Sequence, residues 1–411
     1  MMSALRTAAP PIAVMSVGSV GHLNPMLPVI AELSRRGRRV VVYGRSPQRA
    51  LVERAGASLR PYPDVPAREG RPLKTPIAFL DLVATMTRRL MPWLVDDIGD
   101  LAPSMMVHDA AALWGKLAAR VTSTPAASAI STFAFNNRFR APDDPVLSIG
   151  TLVRMATSCS YSAGTHYAWE RLLLAMRRQV PLAPLRRAME NLEDLNIVFT
   201  SREIQPAAET FDDRFLFVGA SIGNREPDDS FAWDRLEDPV TFVSLGTTFS
   251  DRAGVISRIV RALDGLPGSL VVASGHVSPA EIGRVGARTI VTNHVPQPEL
   301  LGRATVFVTH AGMNSAMESL AAGTPMVALP QGADQPLVAA RIAELGTGID
   351  AGSDPTAQEI RSAVMRVISD PSYAAAARTM GRTLIEAGGP RRAADALLEY
   401  EESSRSAAVS T

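Results

Sequence analysis

Short apolar runs recur along the chain, and most lead into a stretch whose apolar positions repeat at helical spacing. Residues 12–17 form the first run, Gly18-Ser-Val-Gly21 follows, and Asn24-Pro25 opens a periodic stretch that reaches Arg36 ahead of Gly37. Asn24 suits a helix cap, Pro25 the first helical position and Gly37 the stop. Residues 39–43 supply the next strand, completing a βαβ unit of the doubly wound kind. Runs at 104–107 and 126–130, with a helix at 111–120 between them, continue the alternation. Residues 143–180 read as long amphipathic stretches that pack on the sheet, with His166 and Trp169 offered to a substrate wall. Residues 219–238 turn polar and rich in Gly, Asp and Pro, the composition of a linker. Beyond them, runs at 240–245, 269–273, 289–292, 305–309 and 326–329 leave room for crossover helices and predict a second parallel sheet. A helix over 391–400 is expected to return to the first domain, and the Ser/Ala-rich tail 403–411 to fray. The expected domains are 1–219, a linker at 220–238, 239–390, and a returning C-terminal segment at 391–411.

Composition narrows this picture without redirecting it. A chain of 411 residues, 46% apolar, has material for two or three domains with ordinary soluble cores. The formal net charge is +1 and the basic residues are scattered, so no electrostatic footprint for nucleic acid is expected. One cysteine, Cys159, forms no internal disulfide. Residues 1–10 are too short and polar for a secretory leader, and no apolar run reaches the roughly 18 residues that span a bilayer. A cytoplasmic protein without stable membrane insertion is expected.

In open α/β sheets ligands sit beyond the carboxyl ends of strands, which directs attention to the polar residues there. His22 follows the first strand and His108-Asp109 the strand at 104–107. A histidine with a carboxylate behind it makes a general base; between His108 and Asp109, the carboxylate is the better orienting group. In the second half, Ser244-Leu-Gly-Thr-Thr248, Asn293-His-Val-Pro-Gln297, His310-Ala-Gly-Met-Asn-Ser-Ala-Met-Glu318 and Pro330-Gln-Gly-Ala-Asp-Gln335 follow successive strands. The turn at His310 opens a helix over 314–322 closed by Gly323, and the amide groups of such a start attract phosphate. Ser315-x-x-Glu318 is equally a capping box, about as good a reading of Glu318 as ligand contact. No metal-ligand spacing, Walker A loop or GxGxxG is present.

These residues resemble the nucleotide-sugar glycosyltransferases of the GT-B fold, in the UDP-glucuronosyl/UDP-glucosyltransferase superfamily, and especially their bacterial macrolide-type, antibiotic-modifying branch. The resemblance spans nearly the whole chain. It rests on Gly21-His-Leu-Asn-Pro25, Asp109, Ser244-Leu-Gly-Thr-Thr248, Val295-Pro-Gln297, the register of His310, Glu318 and Asp334-Gln335, and the spacing from His294 to His310. It implies an α/β protein of two facing Rossmann-like domains, parallel sheets with helices on both faces, and a cleft between the domains. His22 is implied to be the catalytic base and Asp109 its support. Ser244, Gly246, Thr247, His294, Val295, Gln297, His310, Gly312, Asn314, Ser315, Glu318, Asp334 and Gln335 are implied to hold the donor. His294 departs from the family's usual tryptophan, and Ala311 stands where many members have glycine.

The implied activity is inverting, metal-independent and cofactor-free. A hexose would pass from a UDP- or dTDP-linked donor to a hydroxyl of a small apolar natural product, a polyketide, macrolide or phenolic aglycone. The acceptor pocket is expected from 61–89 and 134–179, and the protein as monomer or homodimer. Rival readings are a sterol or glycolipid transferase, a nucleotide-sugar epimerase, and a non-catalytic partner that activates another transferase.

Overall fold

A computed structural model describes residues 9–63, 76–136, 138–139, 192–223, 231–246 and 253–409. The chain forms two units, one of Met1–Phe199, Ala207–Gly223 and Gly388–Thr411, the other of Thr200–Pro206 and Asn224–Ala387. The stretch 143–180, residue Thr247 and residues 224–230 of the expected linker lie outside the described residues, as do residues 64–75 of the segment 61–89 and most of 134–179.

The first unit is built on β1 (Ile12–Met15), β2 (Val40–Gly44), β3 (Ser58–Pro61), β4 (Met105–Asp109), β5 (Ala126–Ile130), β6 (Asn196–Val198) and β7 (Phe215–Phe217). They form one parallel sheet in the order β3-β2-β1-β4-β5-β6-β7. Its helices are α1 (Val20–Leu23), α2 (Met26–Arg35), α3 (Arg49–Arg54), α4 (Pro76–Leu101), α5 (Leu113–Val121) and a returning helix, Gly389–Val409. Successive side chains of a strand face opposite ways, so each strand serves two cores. Ala13 and Met15 join Leu90, Leu94 and Trp114, whereas Ile12 and Val14 join Val29, Ile30, Leu33 and Leu397.

Two boundaries differ from expectation. The helix predicted to open at Asn24-Pro25 begins at Met26 as α2, and a short helix, α1, precedes it: Asn24 closes α1 by donating its N–H to the Val20 carbonyl, and no side chain caps α2. The returning helix continues to Val409 through the tail expected to fray. Along it Glu401 pairs with Arg38 and Arg405, and the Ser406 hydroxyl donates to the Glu402 carbonyl.

The second unit carries β8 (Val240–Ser244), β9 (Ser269–Ala273), β10 (Thr289–Thr292), β11 (Val306–Thr309), β12 (Met326–Ala328) and β13 (Gly348–Asp350), all parallel, in the order β10-β9-β8-β11-β12-β13. Its helices are α6 (Ala253–Leu263), α7 (Pro279–Ile282), α8 (Gln297–Leu301), α9 (Met313–Ala321), α10 (Gln335–Glu344), α11 (Ala357–Ser369) and α12 (Pro371–Glu386), which makes the returning helix α13. Val243, Val308 and Val364 share one core, and the rings of Phe242 and Phe307 stack 4.7 Å apart.

Both sheets are thus Rossmann-like, and strand order reverses at the same place in each: β1 lies between β2 and β4, and β8 between β9 and β11. Such a reversal opens a crevice at the strands' carboxyl ends. No helix among the described residues is long and apolar enough to cross a membrane.

Candidate active site

At the reversal in the first sheet, β1 runs into a turn at Gly18, whose φ of +87° a side chain rarely adopts and where a Cβ would stand 2.7 Å from Arg45. The turn delivers α1 and with it His22. On the adjacent strand, β4 ends at Asp109. Nδ1 of His22 lies 2.9 Å from Oδ2 and 3.1 Å from Oδ1 of Asp109, and Oδ1 also accepts the Ala111 N–H at 2.7 Å. Asp109 is 7% exposed while the His22 side chain keeps 30%. A buried carboxylate pinned to backbone favours the tautomer with its proton on Nδ1, which makes Nε2 the basic nitrogen.

His108 plays no part in this pair. Strand alternation turns it, with Met106, toward α5, where it is fully buried 3.1 Å from Glu193. Burial pushes the Glu193 carboxyl up, but His108, Lys116 and Arg120 outweigh it and hold it below the usual range. A third group at His22 is one the sequence did not single out: Ser131, a residue past β5, places its hydroxyl 3.0 Å from Nδ1. Asking which polar residues follow each strand would have found it, but a lone serine carries no motif.

At the reversal in the second sheet, β8 ends at Ser244, which is buried, and Gly246 follows in a left-handed conformation, φ +69°. β11 leads to His310, whose ring fills a slot between two glycines. A Cβ on Gly246 would lie 2.6 Å from Cε1 and Nε2 of His310, and one on Gly312 would lie 2.4 Å from Nε2. Ala311 between them is buried with φ +59°.

The first turn of α9 contains Asn314 and Ser315, and its N-cap is Gly312, without a side-chain cap. Ser315 therefore sits inside the helix, and the capping-box reading of Ser315 and Glu318 fails. Glu318 instead accepts a hydrogen bond of 2.6 Å from Gln297 Nε2, which also reaches Ser315 Oγ at 3.4 Å. Pro296 and Pro298 flank Gln297 at the start of α8; Val295 is buried, whereas His294 is exposed. On the loop after β12, Asp334 is half-buried at the N-cap of α10. Gln335 is buried, and its amide oxygen accepts the Gln331 N–H at 2.7 Å. This contact fastens the loop through the amide oxygen of Gln335. Among the described residues no three His, Cys, Asp or Glu side chains stand together as a metal site would need.

Comparison with known proteins converges on one family. Residues 229–384 match the family model described as UDP-glucoronosyl and UDP-glucosyl transferase. The chain is 30% identical to the NDP-glycosyltransferase YjiC of Bacillus licheniformis over 406 residues, covering 93% of this chain and 96% of that protein. It is also 30% identical to the oleandomycin glycosyltransferase of Streptomyces antibioticus, covering 95% and 90%. Among solved structures, the glycotransferase of kitacinnamycin superposes with a TM-score of 0.83 at 29% identity, over 95% of this chain and 99% of that one.

Proposed function

Because the chain belongs to the UDP-glucoronosyl and UDP-glucosyl transferase family and is a GT-B glycosyltransferase, we propose that it transfers a hexose, with inversion, from a nucleoside-diphosphate sugar to a hydroxyl of a small apolar natural product. The observation that carries this reading is the His22–Asp109 pair at 2.9 Å, with Asp109 buried and His22 partly open.

Nε2 of His22 takes the acceptor's hydroxyl proton as that oxygen attacks the anomeric carbon. The new C–O bond forms on the face opposite the diphosphate while the bond to the diphosphate oxygen breaks. Asp109 holds the imidazole in the basic tautomer and steadies the imidazolium that results. The leaving diphosphate gathers negative charge, which the start of α9 and the His310 slot are suited to meet through N–H groups. In this reading no metal is required. Glu318 and Gln297, already bonded to each other, offer a carboxylate and an amide to the ribose hydroxyls, and Asp334 is offered to the sugar.

Oleandomycin and kitacinnamycin in the relatives' names favour an aglycone of antibiotic type. The name NDP-glycosyltransferase leaves the choice between uridine and thymidine donors open. Incubating the purified protein with UDP-glucose or dTDP-deoxysugars and a panel of polyketide and phenolic acceptors, read by mass, tests the reading. One acceptor gaining a hexose, and losing that gain in His22→Ala, supports it. Donor hydrolysis unaffected by any acceptor would sink it.

A further inference from the structure

Ser131 is 8% exposed and stands immediately after β5. Because β1, β4 and β5 are neighbours in the sheet, three successive strands bring His22, Asp109 and Ser131 to one nitrogen. That nitrogen carries one proton or none. A carboxylate only accepts, so Asp109 always favours Nδ1–H, whereas a hydroxyl both accepts and donates. As acceptor, Ser131 supports the same tautomer as Asp109. As donor to a bare Nδ1 it supports the opposite one, with the proton on Nε2, which cannot serve as base toward an acceptor.

We propose that Ser131 is a positioning residue for His22 whose effect takes its sign from Asp109, an inference that rests on the reading of His22 as the base. With Asp109 in place, the Ser131 oxygen is a second acceptor for Nδ1–H. Asp109 is anchored to the Ala111 N–H, so the two oxygens fix the imidazole's rotation from separate strands and share the imidazolium's charge. Without the carboxylate, the hydroxyl turns donor and holds the ring in the inactive tautomer.

The kinetic test is a double-mutant cycle, with UDP-glucose as donor and 4-methylumbelliferone as acceptor. Ser131→Ala should lower kcat about three- to tenfold, the range of one hydrogen bond, with KM for both substrates unchanged and with Ser131→Thr restoring most of the loss. In the Asp109→Ala protein the same change should leave kcat level or raise it. Equal losses in both backgrounds, or no loss in the native protein, overturn the proposal.

A second measurement needs no turnover: long-range proton–nitrogen spectra of histidine-labelled protein, with the His22 signal assigned by its absence in His22→Ala. Native protein should show Nδ1–H, Asp109→Ala an excess of Nε2–H, and Asp109→Ala/Ser131→Ala the loss of that excess. A tautomer indifferent to Ser131 in the Asp109→Ala protein overturns the proposal. Native transfer by His22→Ala would instead defeat the base assignment, and the spectra would still decide what Ser131 does to the ring.

Discussion

Gly246 stands so close to the imidazole of His310 that a Cβ built on it would lie 2.6 Å from both Cε1 and Nε2. Gly312 presses on the same ring from the neighbouring loop, and the two glycines together define where the ring can be.

The two glycines separate space from strain. Gly312 has an ordinary extended backbone, φ −64° and ψ 138°, while Gly246 has φ +69°. Gly312→Ala should displace His310 and weaken UDP or dTDP binding about tenfold, with little change in melting temperature. Gly246→Ala should do both. Titration calorimetry and thermal melts read the pair, and a Gly312→Ala protein with native nucleotide affinity would show that the ring position is immaterial to the donor.

His22→Ala should lose about 10²–10⁴ in turnover, the usual share of a general base, with nucleotide affinity unchanged. Steady-state rates set beside a UDP titration distinguish this from a folding defect, which would move both.

Glu318→Ala should weaken binding of a ribose-containing nucleotide about tenfold while leaving the melting temperature nearly level, because the N-cap of α9 is Gly312, more than a full turn ahead of Glu318. A fall in melting temperature at native affinity would return Glu318 to a structural role.

Ala311 occupies the left-handed region at φ +59° in a fully buried position. Ala311→Gly should relieve about 1 kcal/mol of backbone strain and raise the melting temperature by about 2–4 °C. A lower melting temperature would mean that the methyl group's packing outweighs its strain.

Burial pushes the Glu401 carboxyl up, but hydrogen bonds from Arg38 and Ser104 and the charges of Arg38 and Arg405 prevail and hold it below the usual range. Hydrogen bonds from Arg35 and Arg36 hold Glu32 down at about 2. A carboxyl whose folded pKa is depressed contributes stability above its unfolded value, near 4.3, and loses that contribution as pH falls through the folded value. The native protein should therefore be more stable than Glu401→Gln at about pH 7, and the gap should close in acid below about pH 4. Denaturant titrations at both ends decide it: a gap that does not change with pH would mean that Glu401 contributes no charge interaction.

The strand ends were legible because carboxyl-end placement is a property of the whole fold class, so short apolar runs were enough to bring His22, Asp109, Ser244 and His310 forward. Period-two alternation along β4 separates His108 from Asp109. Less legible were β3, β6, β7 and β13, runs of three to four residues too short to show a period. Ser315 and Glu318 matched a local capping signature, yet the helix begins earlier at Gly312, where β11 and the His310 slot set the backbone. Gly246 and Gly312 each look like simple turn residues in sequence. Their shared service to one imidazole depends on β8 and β11 lying side by side, which no local pattern contains.

The returning helix α13 completes the core of the first unit, setting Ala393, Ala394 and Leu397 against Val29, Ile30 and Leu33. During synthesis, then, the unit begun first is finished last. The apolar stripe of α2 leaves the ribosome uncovered and waits through translation of the entire second unit, an interval in which a nascent chain is open to chaperones and aggregation. For the same reason, a deletion made after Ala387 edits the unit that carries His22, although the second unit lies between them in sequence.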